Sequence, residues 1–172
     1  MTRNDSSDRL LEPFRIALRL EREGKRFFAR AAAETTSRLA RQTFEFLAAE
    51  EDKHIEQIER FFRSLEDSGM ADLPDTEDSD AEAKLASFND GLSRLKEKYP
   101  ATDDDIKAYR MALEFENGAE DFYQQKLDEA DNPRIRKFYR WLIDEETMHC
   151  RLLKSCLNFV EDPAAWFKKR KG

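Results

Sequence analysis

The sequence predicts an all-α protein, a bundle of four long helices arranged as two antiparallel hairpins. Glycine and proline each occur only five times in 172 residues, whereas charged residues make up 39%. This balance is typical of long helices with solvated outer faces. Apolar residues also recur at intervals of three and four, which places them on one helix face. The length suits one domain with a sizeable core, so we predict a single domain over 1–172 with the bundle at about 10–160.

Local capping patterns give the predicted helix ends. We expect helices over Leu10–Glu34, from Ser37 to about Glu66, from Thr102 to Ala130 and from Pro133 to Val160. Thr102 and Asp105 have the spacing of a capping box, and Asn132 followed by Pro133 is an N-cap with proline at the first helical position. Residues 1–8 are polar, and we predict that they are frayed.

The connection between the second and third helices is much longer than the other two. It covers about 67–102, begins with an acidic loop and contains one short amphipathic helix predicted over 81–98. A helix of 25 residues is about 38 Å long, so this crossover can run back along the bundle. The tail, 161–172, carries Trp166, Phe167 and four basic residues. We predict a solvated terminus there, with contact to acidic lipid or a partner as the alternative.

Charge and cysteine content exclude several classes of function. The formal net charge of −7 disfavours a nucleic-acid partner. No segment approaches the roughly 18–20 apolar residues of a membrane span, and the amino-terminal residues do not form a secretory signal. Cys150 and Cys156 lie on different sides of one predicted helix, so we expect free thiols and a cytoplasmic location. The absence of a Cys-x-x-Cys pair excludes a zinc ribbon or a cysteine-held iron site.

The second half of the chain repeats the first at a constant offset of 95 residues. Both histidines have a glutamate three positions earlier, as Glu51-x-x-His54 and Glu146-x-x-His149, which places each pair on one helix face. The same offset relates two further acids, Glu21 and Glu116, which interrupt otherwise apolar stripes. A bundle of two similar hairpins has a pseudo-twofold axis. The two half-sites should therefore converge near its middle.

Four carboxylates facing an apolar interior predict a cation between them. Desolvating each costs several kcal/mol, so they are either protonated or neutralised, and two divalent ions balance four negative charges. Oxygen and imidazole donors together suit Fe or Mn, and also Zn. The predicted metal ligands are Glu21, Glu51, His54, Glu116, Glu146 and His149.

Other residues near these six are given different roles. Glu23 and Glu114 are the rival ligands if a helix is out of phase. The acids flanking the Glu-x-x-His pairs are interpreted as exposed or supporting charges: Glu50, Asp144 and Glu145. Tyr123 is interpreted as a packing residue rather than a redox group, and Cys156 as a small buried residue.

The chain resembles the rubrerythrin and ferritin-like family over about 10–160. The segments that carry the resemblance are ALRLEREGKRFF with FLAAEEDKHIEQIERF, and ALEFENGAEDFY with WLIDEETMHCRLL. One Glu from each of two helices plus Glu-x-x-His from the other two is the ligand set of ferritin-like di-iron bundles. The resemblance implies two iron ions, bridged by Glu51 and Glu146, with Glu21 and Glu116 terminal. It also implies reaction with hydrogen peroxide or dioxygen, and a homodimer or larger assembly.

The sequence departs from rubrerythrins in two ways. It lacks their rubredoxin domain, so electrons would come from an external donor, and Ala119 stands where they have an extra Glu. The remaining six-residue set is similar to the bacterioferritin ferroxidase centre. Asp52 replaces the methionine that binds haem in bacterioferritins, so we expect no haem.

Three functions remain as hypotheses from the sequence. The favoured one is an oxidoreductase that reduces peroxide or O₂. The second is a ferroxidase or iron-storage subunit, which needs a hollow oligomer. The third is a metal-free interaction bundle that uses the Trp166–Lys171 tail.

Overall fold

The computed structural model describes residues 3–68, 79–93 and 102–170, and every regular element among them is a helix. The helices are α1 (Arg3–Glu34), α2 (Arg38–Ser68), α3 (Ala81–Ser93), α4 (Asp103–Glu129), α5 (Pro133–Glu161) and α6 (Pro163–Arg170). This confirms the all-α prediction. None of the described helices is both long and apolar enough to cross a lipid bilayer.

The predicted caps at the start of α4 and α5 are confirmed. The Thr102 side chain accepts a hydrogen bond from the backbone N–H of Asp105, and the Asp105 carboxylate accepts one from the Thr102 N–H at 2.8 Å. Asn132 Oδ1 accepts from Arg134 N–H at 2.9 Å, with Pro133 as the first residue of α5. These side chains satisfy amide groups that a helix leaves unpaired at its amino end.

Two helix boundaries differ from the prediction. The helix α1 begins at Arg3 rather than near Leu10 and continues through Pro13, which cannot donate a backbone hydrogen bond to the preceding turn. The apolar pattern indicates only the part of this helix that packs on the core, so it does not mark the polar first turns. The crossover helix α3 is described to Ser93. The rest of its predicted extent, and the loop 69–78, lie outside the described residues.

Two antiparallel hairpins form the bundle, as the repeat predicts. The helix α1 packs along α2, and α4 packs along α5. The hairpins meet through contacts of α1 with α4 and of α2 with α5, while α3 and α6 both pack on α5. The α2–α5 face therefore carries the crossover helix, and the α1–α4 face is the opposite side of the bundle.

The buried apolar residues described form two large clusters and a small third one of Leu39, Phe159 and Trp166. Stacked aromatic rings characterise the first, where Phe61 and Phe138 have centroids 4.3 Å apart. The second contains Phe44 and Tyr109, with centroids 5.1 Å apart. Along all four long helices, the predicted ligand positions lie at the boundary between residues of one large cluster and residues of the other. The middle of the bundle is therefore polar and is sealed by apolar side chains at both ends.

The prediction that the tail is solvated is wrong for its two aromatic residues, which pack against the bundle. Trp166 is only 7% exposed; its ring packs edge-on against Phe159 with centroids 5.4 Å apart, and its Nε1 donates to Ser155 Oγ at 3.2 Å. The helix α6 follows Asp162, which ends α5, and returns the apolar residues to the bundle. The exposed residues of α6 include Lys168 and Lys169.

Candidate metal centre

The structure brings all six predicted ligands together at the middle of the bundle. Each is 2% exposed or less. They form two groups of four, each with potential ligand atoms within 4.8 Å of one another: Glu21, Glu51, His54 and Glu146, and Glu51, Glu116, Glu146 and His149. Glu51 and Glu146 belong to both groups. The geometry is therefore that of two adjoining sites with two shared carboxylates.

Each histidine directs Nδ1 at the carboxylates. His54 Nδ1 lies 2.9 Å from Glu21 Oε2, 3.3 Å from Glu146 Oε1 and 3.6 Å from Glu51 Oε2. His149 Nδ1 lies 3.2 Å from Glu116 Oε1, 3.2 Å from Glu146 Oε2 and 3.5 Å from Glu51 Oε1. Glu21 and Glu116 thus each face one histidine, whereas Glu51 and Glu146 each face both. The two halves have the same pattern, as the 95-residue repeat requires.

Several buried polar atoms in this cluster have no hydrogen-bond partner among the described residues. They are Glu51 Oε1, both carboxylate oxygens of Glu146, and Nε2 of both histidines. Buried polar groups are nearly always satisfied, and leaving one unpaired costs about 1–3 kcal/mol. Unpaired carboxylate oxygens beside imidazole nitrogens are the donors that a divalent cation requires. The residues present therefore fit a pair of metal ions.

In the metal-free cluster, the shifted pKa values of four of the six residues favour their protonated forms. Burial raises the pKa of the Glu116 carboxyl to about 8, and the charge of Glu146 adds to this. Burial, together with the charge of Glu21, raises the pKa of Glu51 well above its usual range. Both histidines respond to the carboxylates: burial alone would lower the pKa of His149, but Glu116 and Glu146 raise it to about 9. His54 likewise has its pKa raised well above the usual value, mainly by Glu21.

Glu146 differs from the other carboxyls. Burial would raise its pKa, but the neighbouring imidazoles of His149 and His54 outweigh that effect and lower the pKa. The pKa of Glu146 is therefore shifted in the direction opposite to those of Glu51 and Glu116. Metal binding would displace the protons of the imidazoles and those of Glu51 and Glu116, the two carboxyls whose pKa is raised.

Burial distinguishes the rival ligands and the flanking acids from one another. Glu23 and Glu114 are exposed, so the helices have the predicted phase, and Asp144 is exposed as well. Of the two roles expected for Glu50 and Glu145, an exposed or a supporting charge, the exposed one is wrong, because they are 3% and 1% exposed. Both lie on the inner side of the crossover helix, which buries them.

A lysine on the crossover helix neutralises these two acids. Lys84 Nζ lies 2.6 Å from Glu50 Oε2, 2.7 Å from Glu145 Oε2 and 2.7 Å from Asp80. Ser79 Oγ also donates to Glu145 Oε1 at 2.7 Å. Because Glu50 and Glu145 each precede a predicted ligand, Lys84 ties together the two helices that carry the Glu-x-x-His pairs. The sequence contained no periodic signal for this contact, only a basic residue in an acidic crossover.

Two aromatic residues also contact the cluster. Tyr123 is buried, as its stripe position predicts, and in addition its hydroxyl donates to Glu21 Oε1. The half-buried Trp141 packs edge-on against His54, with ring centroids 5.4 Å apart. Its repeat equivalent is Phe46, which instead packs against Phe88 of α3. The packing role predicted for Tyr123 is therefore confirmed. The hydrogen bond to Glu21 is a further contact that the sequence does not predict.

Comparison with models of protein families shows to which family the chain belongs. The rubrerythrin family model matches residues 12–157, which include all six clustered residues and helices α2 to α4 in full. The chain belongs to the rubrerythrin family. No curated protein and no solved structure matched the chain significantly. Membership in the rubrerythrin family, together with the buried carboxylate and histidine cluster, fits a di-iron protein.

Proposed function

We propose that this rubrerythrin-family chain binds two iron ions and reduces hydrogen peroxide or O₂ with electrons from an external donor. The observation that carries the proposal is the sharing of Glu51 and Glu146 between two groups of ligand atoms. Two unrelated cation sites would have separate carboxylates. A shared pair instead favours two ions held side by side, which together would supply the two electrons that peroxide reduction takes.

In this proposal the six residues hold the metals and have distinct tasks. Glu51 and Glu146 would bridge the ions, Glu21 and Glu116 would each bind one, and each histidine would bind one through Nδ1. When bound, a reduced iron pair supplies two electrons to one oxidant molecule. Mn or Zn would satisfy the same donors without that redox chemistry.

The surrounding residues of the chain orient the ligands and exclude water. Tyr123 donates to Glu21 and so leaves the other oxygen of that carboxylate, 2.9 Å from His54 Nδ1, directed into the cluster. The two apolar clusters close the site at both ends. A low-dielectric surround strengthens the charge interactions between ligands and metal.

A ferroxidase or iron-storage role is the second candidate. Ala119, where rubrerythrins proper have an extra Glu, is 3% exposed and faces the core. The site then has the symmetric six-residue set that is similar to a bacterioferritin ferroxidase centre. An iron store needs a hollow assembly, whereas the proposed oxidoreductase is a homodimer, so the mass in solution separates the two.

The test begins with the metal-free protein and anaerobic Fe(II). We expect two irons per chain, and then faster oxidation by one equivalent of hydrogen peroxide than by air-saturated buffer, followed by the visible spectrum. Faster reaction with O₂, together with a large hollow particle on size-exclusion chromatography with light scattering, would favour the storage role. Fewer than about one iron per chain, unchanged by added Fe(II), would contradict both and leave the metal-free bundle.

A further inference from the structure

The α1–α4 face carries a close contact between a glycine and a phenylalanine. Gly24 on α1 is buried, and a Cβ placed on it would lie 2.9 Å from Cε1 of Phe115 on α4. Real Cβ atoms do not approach that closely. The Phe115 ring therefore rests on helix backbone at a position where any other residue would hold it away.

The carboxylate of Glu51 also lies close to this position. The Gly24 Cβ point is 3.4 Å from Glu51 Cδ and 3.5 Å from Glu51 Oε1. That oxygen is one of the buried atoms without a hydrogen-bond partner among the described residues. The Phe115 ring and a shared carboxylate of the candidate metal centre therefore both border the small space that the missing Gly24 side chain leaves.

The two faces of the bundle are closed in different ways. On the α2–α5 face, the ammonium group of Lys84 binds Glu50 and Glu145 and closes the surface with ionic contacts. On the α1–α4 face, Phe115 is a half-buried apolar side chain that reaches from the surface to the cluster. A ring with two side-chain torsions can turn aside without moving a helix. On the α1–α4 face, movement of this one side chain therefore opens the neighbourhood of Glu51.

The internal repeat shows that this arrangement belongs to one half-site only. The repeat equivalent of Phe115 is Leu20, and that of Gly24 is Ala119. Leu20 is half-buried, as Phe115 is. In the other half, a leucine and an alanine stand where this half has the large ring and the glycine. Leu20 therefore provides a control at an equivalent place on the same fold.

We propose that Phe115, seated on Gly24, is the gate that sets which molecules reach the metal centre. It admits small oxidants and anions, such as hydrogen peroxide and azide, and excludes branched alkyl hydroperoxides. The part that concerns peroxides rests on the proposed function. In that reaction the O–O bond breaks, the external donor supplies two electrons, and water supplies two protons.

The first test needs no redox activity. Wild type, Phe115→Ala and Leu20→Ala are loaded with Co(II), and the transfer of cobalt to a bulky chelator is followed by the visible spectrum. We expect cobalt transfer to be at least about tenfold faster in Phe115→Ala than in wild type. In Leu20→Ala the rate should stay within about threefold of wild type. Equal acceleration in the two variants would reduce Phe115 to a packing residue.

The second test uses the iron-loaded protein. The ratio of oxidation rates by tert-butyl hydroperoxide and hydrogen peroxide should rise about tenfold in Phe115→Ala and remain near the wild-type ratio in Leu20→Ala. An unchanged ratio in Phe115→Ala would overturn the gate. If no variant reacts with peroxide, the proposed function fails, and the cobalt measurement still decides the gate. Phe115→Leu, which copies the equivalent position, serves if the alanine variant does not fold.

Discussion

The imidazole rings of His54 and His149 stack with their centroids 5.1 Å apart and their planes 18° from parallel. The two residues occupy equivalent positions in the repeat, and each directs Nδ1 at its own glutamate, at 2.9 Å and 3.2 Å. Carboxylates raise the pKa of both rings. The surrounding acidic groups favour the protonated form of both rings. Metal binding would therefore release protons from the centre.

The stability of the metal-free protein should fall as pH rises from about 6.5 to 9. The folded pKa is about 9 for His149 and about 8 for Glu116, above the ordinary values of 6.5 and 4.5. Both groups bind protons more tightly in the folded state, so their stabilisation is present at low pH and is lost as pH rises through those values. Thermal unfolding between pH 6.5 and 9 measures the effect.

Metal loading and one substitution are the controls for this pH dependence. The Glu116→Gln variant lacks one titrating group and should show a shallower fall. Cobalt-loaded protein should show little fall, because metal has already displaced the protons. A melting temperature of the metal-free wild type that stays level across the range would contradict the assignment of raised pKa values.

Glu51→Ala should abolish binding of a metal pair. Glu51 faces both histidines, so its removal takes a donor from both groups of ligand atoms. The measurement is cobalt or iron per chain after loading and gel filtration. Glu23→Ala, which changes an exposed acid on α1, should retain two ions. Two ions per chain in Glu51→Ala would mean that this carboxylate does not bridge.

Lys84→Met should destabilise the protein by about 3 kcal/mol, because it leaves Glu50 and Glu145 buried without their shared cation. Methionine keeps most of the side-chain volume, so the loss reports the charge. Denaturant unfolding measures it. Lys107→Met is the matched control: Lys107 pairs with Asp104 at an exposed site, where such pairs contribute about 0–1 kcal/mol. Similar losses in the two variants would show that the crossover lysine is not a clamp.

Gly24→Ala should destabilise the protein by about 1–3 kcal/mol and weaken metal binding. The added methyl would meet the Phe115 ring at 2.9 Å and press toward Glu51, and overpacking has this cost. The chain offers a direct comparison in Gly118→Ala. Nothing lies within 4 Å of the Cβ position there, so the helix should gain up to about 1 kcal/mol. Chemical denaturation of both variants measures the change in the free energy of unfolding, and cobalt titration measures metal binding. If Gly24→Ala stabilised the protein, the close contact with Phe115 would be refuted.

Much of the bundle and the membership of the polar cluster could be predicted from the sequence. Helix formation and capping depend on neighbours within a few residues, which is why the sequence predicts the caps at Thr102 and Asn132. An acid within an apolar stripe must face the core wherever that helix packs. The repeat then related Glu21 to Glu116 and each Glu-x-x-His pair to the other.

The contacts made by the crossover could not be predicted in this way. Glu50 and Glu145 are at the edge of their helix faces, and they are buried only because α3 lies over them. The position of α3 depends on tertiary packing rather than on periodicity. The same is true of Trp166, which is buried because α6 returns to α5.

The sequence by itself therefore determined the helices, their inward faces and the six residues that meet at the centre. These features follow from the local spacing of residues and from a repeat with a constant offset of 95 residues. Tertiary structure alone decided how that centre is enclosed. Lys84 on one face and Phe115 over Gly24 on the other act between elements far apart in the chain. Such contacts depend on the relative placement of helices at ångström precision, which no periodicity in the chain encodes.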